Sequence, residues 1–199
     1  PYFYQCEEIG MTNFDFDSIA DYNDIKTKYR SREFIEQGMS PSEAFCRVKE
    51  QSRDNGRTPM QWDTSENAGF SKHSPWLKVN PNYASINVES QQNDPDSVLS
   101  FYKKVIRLRR EHDCIVYGEY REISRGDESK LYCYVKELND ETALVMCNFS
   151  SEKVEVEKAD DLANKEMRLC AANYNDASKE LRGEQFMLRP WEARLYLCR

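Results

Sequence analysis

The sequence predicts an α+β chain in which a helical first part is followed by an all-β second part. Apolar residues after Asp94 recur at intervals of three and four, which is the spacing of one helix face. From residue 114 onward, short β-rich runs alternate with turn signals, which is typical of antiparallel strands. We therefore divide the 199 residues into two predicted domains, 1–113 and 114–199.

The composition is that of an ordinary globular chain with an acidic balance. Hydrophobic residues make up 39% and the formal net charge is -7. Because clustered Lys and Arg drive binding to phosphate backbones, we expect no nucleic-acid partner. No apolar window reaches the length of a membrane span and no basic, apolar leader opens the chain, so we also expect no membrane partner.

The cysteines indicate a reducing compartment. They are widely spaced, form no C-x-x-C pair and number seven: Cys6, Cys46, Cys114, Cys133, Cys147, Cys170 and Cys198. This pattern favours reduced thiols, packed as small apolar side chains in a cytoplasmic protein, over a disulfide frame or a zinc site. We expect neither a metal nor a cofactor.

The chain opens on an aromatic run, 1–5, that predicts a short buried strand followed by a polar loop. A chain that starts inside such an element is expected to be a fragment. Glu7 and Glu8 are adjacent and would point to opposite sides of an extended chain, so we expect them to hydrogen-bond structurally rather than to act together on one bond. They would line or support a pocket.

An acidic cluster follows, formed by Asp15, Asp17, Asp21 and Asp24. It lacks the Gly and the closing Glu of an EF-hand, so we expect a solvated acidic loop rather than a calcium site.

Two helices are predicted next. Residues 25–37 are helix formers and Gly38 is a plausible terminating residue. Ser40 and Glu43 have the spacing of a capping box, with Pro41 at the first helical position, which predicts a second helix that extends to about Gln51.

The run Arg53-Asp54-Asn55-Gly56-Arg57-Thr58-Pro59-Met60-Gln61-Trp62-Asp63 predicts a surface loop. Asn55 and Gly56 tolerate a left-handed backbone, and the residue before Pro59 is pushed to an extended conformation. Arg57 beside Asp54 could grip vicinal sugar hydroxyls while Trp62 covers the apolar face of the ring. The alternative is a turn held by a solvated Arg/Asp pair, with Trp62 as a core anchor.

Residues 64–94 are polar without a sustained period, which predicts a long ordered loop at the rim of a pocket, pinned by burial of Trp76 and Tyr83. Asp94-Pro95 is expected to cap a helix that ends near residue 111. The apolar face of that helix consists of Val98, Phe101, Tyr102, Val105 and Leu108.

Alternation in Leu131, Cys133 and Val135, and again in Val154 and Val156, predicts antiparallel strands with one solvated face, in a small all-β sandwich. The turn signals include Arg125-Gly126-Asp127 and Asn139-Asp140. The predicted strands are 115–124, 130–138, 142–149, 153–157, 166–170, 185–188 and 193–198.

Residues 53–63 resemble the RDNxRTPMQW segment of the α-glucosidase branch of the α-amylase family, glycoside hydrolase family 13. This branch contains oligo-1,6-glucosidase, dextran glucosidase and trehalose-6-phosphate hydrolase. Residues 1–13 resemble the family's PYxYQGEEIGMTN, with Cys6 where the family usually has Gly, and parts of 68–83 resemble the loop that follows. The resemblance implies that 1–113 is the last strand and helices of a (β/α)8 barrel and that 114–199 is the β-sandwich domain after it.

The resemblance also implies a function. Members of the family cleave α-glucosidic bonds in short oligosaccharides with retention, using an Asp nucleophile, a Glu acid and base, and a second Asp. In the family these lie on barrel strands upstream of Pro1, so we expect no catalytic residue in this chain and no activity of the chain alone. Arg57 matches the arginine that binds the non-reducing glucose, while Arg53, Asp54 and Asn55 match residues that shape its loop.

Two function classes remain open. The first is the carboxyl-terminal piece of such an α-glucosidase, acting on an α-linked gluco-oligosaccharide. The second is a non-catalytic carbohydrate-binding or scaffolding module, which would need exposed aromatic side chains on the β-domain. Most aromatics there alternate as core or cross-strand residues, which favours the first class: Tyr132, Tyr134, Phe149 and Tyr196.

Without the N-terminal barrel segment, the first strand and the apolar face of the 95–111 helix would lack neighbours. Exposed patches of this kind recruit partners, so we expect the chain to self-associate. In the family the arginine that Arg57 matches is paired with an Asp from that missing segment. Without this partner, Arg57 is expected to be exposed and mobile.

Overall fold

The computed structural model describes residues 2–123, 130–157, 162, 165–181 and 185–198. The chain divides into two compact units, Pro1–Ser100 and Phe101–Arg199. The domain boundary between residues 113 and 114 stays a prediction. Helices in the described ranges are α1 (Ile25–Glu36), α2 (Pro41–Lys49), α3 (Val88–Gln91), α4 (Val98–Glu111) and α5 (Asp113–Tyr117).

The two helices predicted before residue 53 are confirmed. At the start of α2, the Ser40 hydroxyl accepts a hydrogen bond from the Glu43 amide at 3.3 Å, and the Glu43 carboxylate accepts one from the Ser40 amide at 3.0 Å. This is the predicted capping box, with Pro41 at the first helical position. Gly38 has the expected left-handed backbone after α1, with φ +98°.

The strand predicted at the start of the chain is wrong. Tyr2, Phe3 and Tyr4 are exposed, and Glu7–Ile9 form a 3₁₀ turn. A strand is stable only when a neighbour satisfies its backbone groups, and none of the described strands pairs with this run. Cys6 has a left-handed backbone, with φ 85°, and its side chain is buried in an apolar cluster with Ile9.

Residues 64–94 form an ordered segment, as predicted, but its anchors are not the predicted ones. Trp76 is 64% exposed and Tyr83 is half-buried, so the burial predicted for Trp76 is wrong. Buried amides hold the segment instead, because their donors and acceptors satisfy loop backbone groups. Asn80 donates to the Thr12 carbonyl at 3.1 Å, and Asn87 donates to the Tyr83 carbonyl at 2.8 Å.

Helix α4 begins later than predicted. The Ser97 hydroxyl accepts from the Ser100 amide at 3.2 Å and caps the helix, whereas the Asp94 carboxylate accepts from the Asp96 amide in the preceding turn. The predicted apolar face is largely uncovered, since Val98 and Val105 are exposed and only its last member, Leu108, is buried.

The strand predicted from residue 115 is wrong in its first part, where α5 lies instead. Burial of Cys114 against Ala143 and Leu197 fixes this short helix on the sheet. Gly118 ends it at a close approach, because a Cβ there would overlap the Cys114 carbonyl oxygen. Sequence alternation did not distinguish this single helical turn from a strand.

The remaining predicted strands are confirmed to within about two residues. A five-stranded antiparallel sheet has the order β1-β2-β3-β7-β5, and a two-stranded antiparallel sheet pairs β4 with β6. Asn139, with φ 52°, forms the predicted turn between β2 and β3, while the Arg125-Gly126-Asp127 turn lies outside the described residues. The strands are β1 (Glu119–Glu122), β2 (Leu131–Leu138), β3 (Glu141–Asn148), β4 (Val154–Glu157), β5 (Arg168–Ala172), β6 (Gln185–Leu188) and β7 (Ala193–Cys198).

One apolar core contains side chains from both sheets. In β2 the burial alternates with a period of two, as expected for a strand with one covered face. The core members from β2, β3, β4, β6 and β7 are Leu131, Cys133, Val135, Leu144, Met146, Val154, Val156, Leu188 and Tyr196.

The cysteines form no disulfide in the structure. Cys6, Cys114 and Cys133 are buried as predicted, but Cys46 is exposed, so the packing prediction is wrong for that residue. Within the described residues, no group of three or more His, Cys, Asp or Glu side chains is arranged to hold a metal ion. None of the helices in those ranges combines the length and hydropathy that crossing a bilayer requires.

Glu192 makes the stability of the second unit depend on pH. Its side chain is fully buried and accepts hydrogen bonds from Arg194 Nε at 2.8 Å and from Arg189 Nη2 at 3.0 Å. Burial raises the pKa of Glu192, but the hydrogen bonds and charges of Arg189 and Arg194 outweigh it and lower the pKa to about 2. A lowered pKa stabilises the fold above the ordinary value of 4.5, and this contribution is lost as the pH falls toward 2.

We therefore expect urea unfolding to show a loss of about 2 kcal/mol from this residue between pH 6 and pH 3. Glu192→Gln should remove this pH-dependent loss of stability, whereas Glu155→Gln, at an exposed position of β4, should leave it unchanged. Equal slopes for the wild type and Glu192→Gln would contradict the assignment.

Candidate functional site

The run from Arg53 to Asp63 is not the surface loop that the sequence predicted. Arg53–Arg57 form a 3₁₀ turn capped by Ser52, whose hydroxyl accepts from the Asp54 amide at 3.2 Å. Asp54 and Gln61 are fully buried. The expected left-handed backbone is also wrong, since neither Asn55 nor Gly56 has a positive φ.

Gly56 is instead required for a close approach. A Cβ at this position would overlap the ring of Tyr4, so the opening aromatic run lies against the turn. The absence of a side chain at Gly56 therefore lets Tyr4 pack on the backbone.

Asp54 is the centre of the turn. Its Oδ2 accepts hydrogen bonds from the amides of Asn23 at 2.6 Å and Asp24 at 2.7 Å, just before α1. Its Oδ1 accepts from Arg57 Nη1 at 3.3 Å. A buried carboxylate is stable only when donors satisfy it, and these three donors do so. Asp54 thereby joins the start of α1 to the turn and holds Arg57.

Arg53 also binds the start of α1, through the side chain of Asp24. Its Nε and Nη2 donate to Asp24 Oδ1 at 3.0 and 2.5 Å, and Thr27 Oγ1 donates to Asp24 Oδ2 at 2.7 Å. The Arg53 hydrogen bonds hold the pKa of Asp24 well below its usual range. Asp24 is 3% exposed, so the prediction of a solvated acidic loop is wrong for this residue.

The other three carboxylates of the acidic cluster pair with lysines. Asp15 contacts Lys49, and both Asp17 and Asp21 contact Lys78. Surface pairs of this kind contribute little stability.

Asn55 caps the end of α2. Its Nδ2 donates to the carbonyls of Lys49 at 3.0 Å and Glu50 at 3.3 Å, which satisfies groups that the helix end leaves unpaired. The turn therefore holds the end of α2 and the start of α1 together.

Arg57 presents a charged group to solution. Its side chain is 39% exposed, and only Nη1 makes a hydrogen bond with Asp54. The exposure agrees with the prediction, while the expected mobility of Arg57 stays a prediction. The other guanidinium nitrogens are left to donate to a ligand.

Trp62 is 49% exposed, so its alternative role as a core anchor is wrong. Its amide donates to the Ala68 carbonyl at 2.9 Å across a loop in which Asn67, Ala68 and Gly69 all have positive φ. This contact fixes the backbone at Trp62 and leaves the indole accessible.

Glu7 and Glu8 lie in the 3₁₀ turn after Cys6. In the part of the chain that the structure describes, neither side chain has a hydrogen-bond partner, so the expected structural role is not observed. Both buried carboxylates of the site, Asp24 and Asp54, are engaged by donors. The geometry is therefore suited to binding hydroxyl groups through Arg57 rather than to breaking a bond.

The sequence interpretation missed the structural roles of Asp24, Thr27 and Ser52. Asp24 stands at the position just before the predicted helix, and Thr27 follows it by three residues, which is the spacing of helix-capping side chains. Ser52 stands two residues before Asp54, which is the spacing at which a serine hydroxyl accepts from a backbone amide in a turn. Those local signals could have identified them. Their joint packing around Asp54 depends on the tertiary fold.

The aromatic side chains of the second unit are more exposed than predicted. Tyr132 and Phe149 were expected as core or cross-strand residues, and they are 37% and 61% exposed, whereas Tyr196 is buried. The rings of Tyr120 and Tyr132 lie 5.4 and 5.3 Å from that of Tyr134, all on one face of the five-stranded sheet. The alternation of apolar and polar residues predicts which side chains share a face of the sheet, but it does not predict whether that face is buried.

Comparison with known proteins shows what the whole chain is similar to. The family profile described as "Alpha amylase, catalytic domain" matches residues 1–118. The chain is 46% identical over 201 residues to oligo-1,6-glucosidase of Parageobacillus thermoglucosidasius, covering 100% of this chain and 35% of that protein. It is 38% identical over 197 residues to trehalose-6-phosphate hydrolase of Bacillus subtilis, covering 98% of this chain and 35% of that protein.

Solved structures agree with the sequence relatives. Trehalose-6-phosphate hydrolase of Bacillus licheniformis superposes with a TM-score of 0.89 at 38% identity, over 100% of this chain and 36% of that one. Trehalulose synthase of Pseudomonas mesoacidophila gives a TM-score of 0.89 at 35% identity, over 100% of this chain and 35% of that one. The chain thus spans about a third of the length of the relatives it matches. Since the catalytic-domain profile covers more than half of its residues, this chain belongs to the alpha-amylase family.

Proposed function

We propose that the chain is the carboxyl-terminal part of a retaining α-glucosidase that hydrolyses α-glucosidic bonds in short oligosaccharides, as oligo-1,6-glucosidases do. The observation that carries the proposal is the pair of Asp54 and Arg57, in which a buried carboxylate holds an exposed guanidinium, with an accessible Trp62 five residues later in the chain. A guanidinium can donate to two neighbouring hydroxyls at once, and an indole can cover a sugar face. Relatives at 46% and 41% identity carry the name oligo-1,6-glucosidase.

In this proposal Arg57 contacts the non-reducing glucose of the substrate. Asp54, Arg53 and Asn55 are positioning residues, because their side chains hold the helices and the turn that present Arg57. The catalytic Asp and Glu residues come from a preceding barrel segment, so the 199-residue chain alone is inactive. Residues 1–113 then complete the barrel, 114–199 form a β-sandwich domain, and the whole enzyme works in the cytoplasm.

A chimeric enzyme tests the proposal. Residues 1–199 would replace the matching third of oligo-1,6-glucosidase from Parageobacillus thermoglucosidasius, and release of glucose from isomaltose would be measured. We expect the chimera to hydrolyse isomaltose. A folded chimera without activity, while the unmodified relative is active under the same conditions, would contradict the proposal.

A second candidate function is favoured by the exposed aromatic face. Tyr120 and Tyr132 are 50% and 37% exposed on one sheet face, and neighbouring exposed tyrosine rings are suited to binding sugar rings. A carbohydrate-binding or scaffolding module would be retarded by dextran in a native gel, and Tyr132→Ala would abolish that retardation. The α-glucosidase proposal predicts no retardation that depends on Tyr132.

We further propose that the isolated chain self-associates. Val98 and Val105 of α4 and the opening residues Tyr2 and Phe3 are exposed apolar side chains. Exposed apolar patches on soluble proteins mark contact surfaces. We expect sedimentation at micromolar concentration to give a mass above that of one chain, 23.5 kDa. A monomeric mass would contradict this.

A further inference from the structure

A polar cavity lies beside the first two turns of α1 and does not include Arg57. Its volume is about 110 Å³, and its wall includes Lys26, Arg30, Arg53, Asp24 and Gln51 above the apolar side chain of Val48. One water molecule occupies roughly 30 Å³ in the liquid, so the cavity has room for a small polyatomic ion.

Positively charged side chains outnumber negatively charged ones in the wall of the cavity. Asp24 is its acidic group, and both oxygens of that carboxylate already accept hydrogen bonds from Arg53 and Thr27. The positive charge of Arg53 compensates the negative charge of Asp24. Two further cations, Lys26 and Arg30, line the same cavity.

Neither of these cations has an acidic partner among the described residues. Lys26 makes no ion pair or hydrogen bond there, and Arg30 donates Nη1 to the neutral Gln51 Oε1 at 3.1 Å. The buried Asp54 next to this region is already paired with Arg57. The remaining donors of Arg30 and the ammonium of Lys26 are therefore available to a ligand.

Lys26 and Arg30 are also four residues apart on one helix, where like charges repel and lower helix stability. A chain with a net charge of -7 has acidic side chains in excess, yet none is placed between these two cations. An anion in the cavity would remove the repulsion and would accept hydrogen bonds from both cations of α1.

We propose that this cavity binds a tetrahedral oxyanion of the phosphate class. Arg guanidinium groups match two phosphate oxygens at once, and a lysine ammonium supplies a third contact. The site is separate from the proposed glucose contact at Arg57, so its occupant could be inorganic phosphate or the phosphate of a phosphorylated sugar.

Calorimetric titration of the 199-residue chain tests the proposal. Inorganic phosphate, glucose 6-phosphate and glucose would be titrated at constant ionic strength, set with chloride. We expect phosphate to bind with a Kd below about 10 mM, which is an affinity typical of a few charged contacts, and glucose not to bind at this site. Tighter binding of glucose 6-phosphate than of phosphate would identify a phosphorylated sugar as the occupant, and the reverse would identify the free ion.

The variant Lys26→Gln/Arg30→Gln should weaken phosphate binding at least about tenfold, since it removes both uncompensated cations. Arg32→Gln is the matched control, because Arg32 is exposed on the same helix and does not line the cavity. The proposal is overturned if phosphate does not bind to the wild type, or if it binds equally to the wild type and to the double variant. Neither result would depend on glucosidase activity, so this test is independent of the proposed function.

Discussion

Replacement of Arg57 by Ala in the chimeric enzyme is expected to lower kcat/KM for isomaltose by about 10²–10³-fold, the range seen when one preorganised charged donor is removed from an active site. Asp54 is fixed by two backbone amides and accepts a hydrogen bond from Arg57 Nη1 at 3.3 Å, so one nitrogen of the guanidinium has a fixed partner before substrate binds. Its loss would remove hydrogen bonds to the glucose together with their orientation. Initial rates of glucose release over a range of isomaltose concentrations would measure the effect.

Two further variants distinguish substrate contact from a general structural effect. Arg57→Lys keeps the positive charge but loses the planar guanidinium group that can donate two parallel hydrogen bonds. We therefore expect its kcat/KM to lie between that of Arg57→Ala and that of the unchanged chimera. Arg32→Ala removes an exposed arginine of α1 that lies outside the site, and it should leave kcat/KM unchanged. Unchanged kcat/KM in Arg57→Ala would remove Arg57 from the proposed substrate site.

Replacement of Asp54 by Ala is expected to destabilise the chain by about 2–5 kcal/mol, because each buried donor that loses its acceptor costs about 1–3 kcal/mol. Asp54 is fully buried, and its loss would leave the amides of Asn23 and Asp24 without an acceptor beside the cation of Arg57. Urea unfolding of the 199-residue chain would measure the free energy of unfolding. Because Asp54 also orients Arg57, the same change in the chimera should lower kcat/KM.

Asp17→Ala is the control for this experiment. Asp17 is exposed and makes only a long ion pair with Lys78, at 3.5 Å, so its removal should cost less than about 1 kcal/mol. If Asp54→Ala were as stable as Asp17→Ala, the buried hydrogen bonds would not hold the turn as we describe.

Local chemistry was sufficient to predict several elements. The spacing of Ser40 and Glu43 predicted α2, because a capping box depends only on neighbouring residues. Strands β6 and β7 begin and end at the predicted residues, because β-rich runs separated by turn signals can be recognised from neighbouring residues alone.

Features that depend on distant residues could not be predicted. Nothing local distinguishes the buried Asp54 from an exposed aspartate, because its burial depends on amides about thirty residues earlier. Trp76 was expected to be buried because it is large and apolar, yet Leu77 is the buried neighbour. The opening strand was predicted from its aromatic content, and only a pairing strand could have formed it.

The site was predicted in part. Sequence identified Arg57 and its neighbour Asp54, and the structure places their side chains in contact. It did not identify Asp24, which accepts hydrogen bonds from Arg53 and Thr27, because the acidic cluster suggested one solvated loop. The partition of four aspartates into one buried and three lysine-paired groups appears only when the helices are packed.

The central claim is that this chain contributes substrate recognition to an α-glucosidase but not its catalytic carboxylates. Release of nitrophenol from p-nitrophenyl α-glucoside by the purified 199-residue chain, beside its Arg57→Ala variant, tests this most directly. We predict no turnover by either protein. Turnover by the wild type that is lost in Arg57→Ala would contradict the claim, because it would mean that carboxylates within this chain, such as Glu7 or Glu8, perform the cleavage.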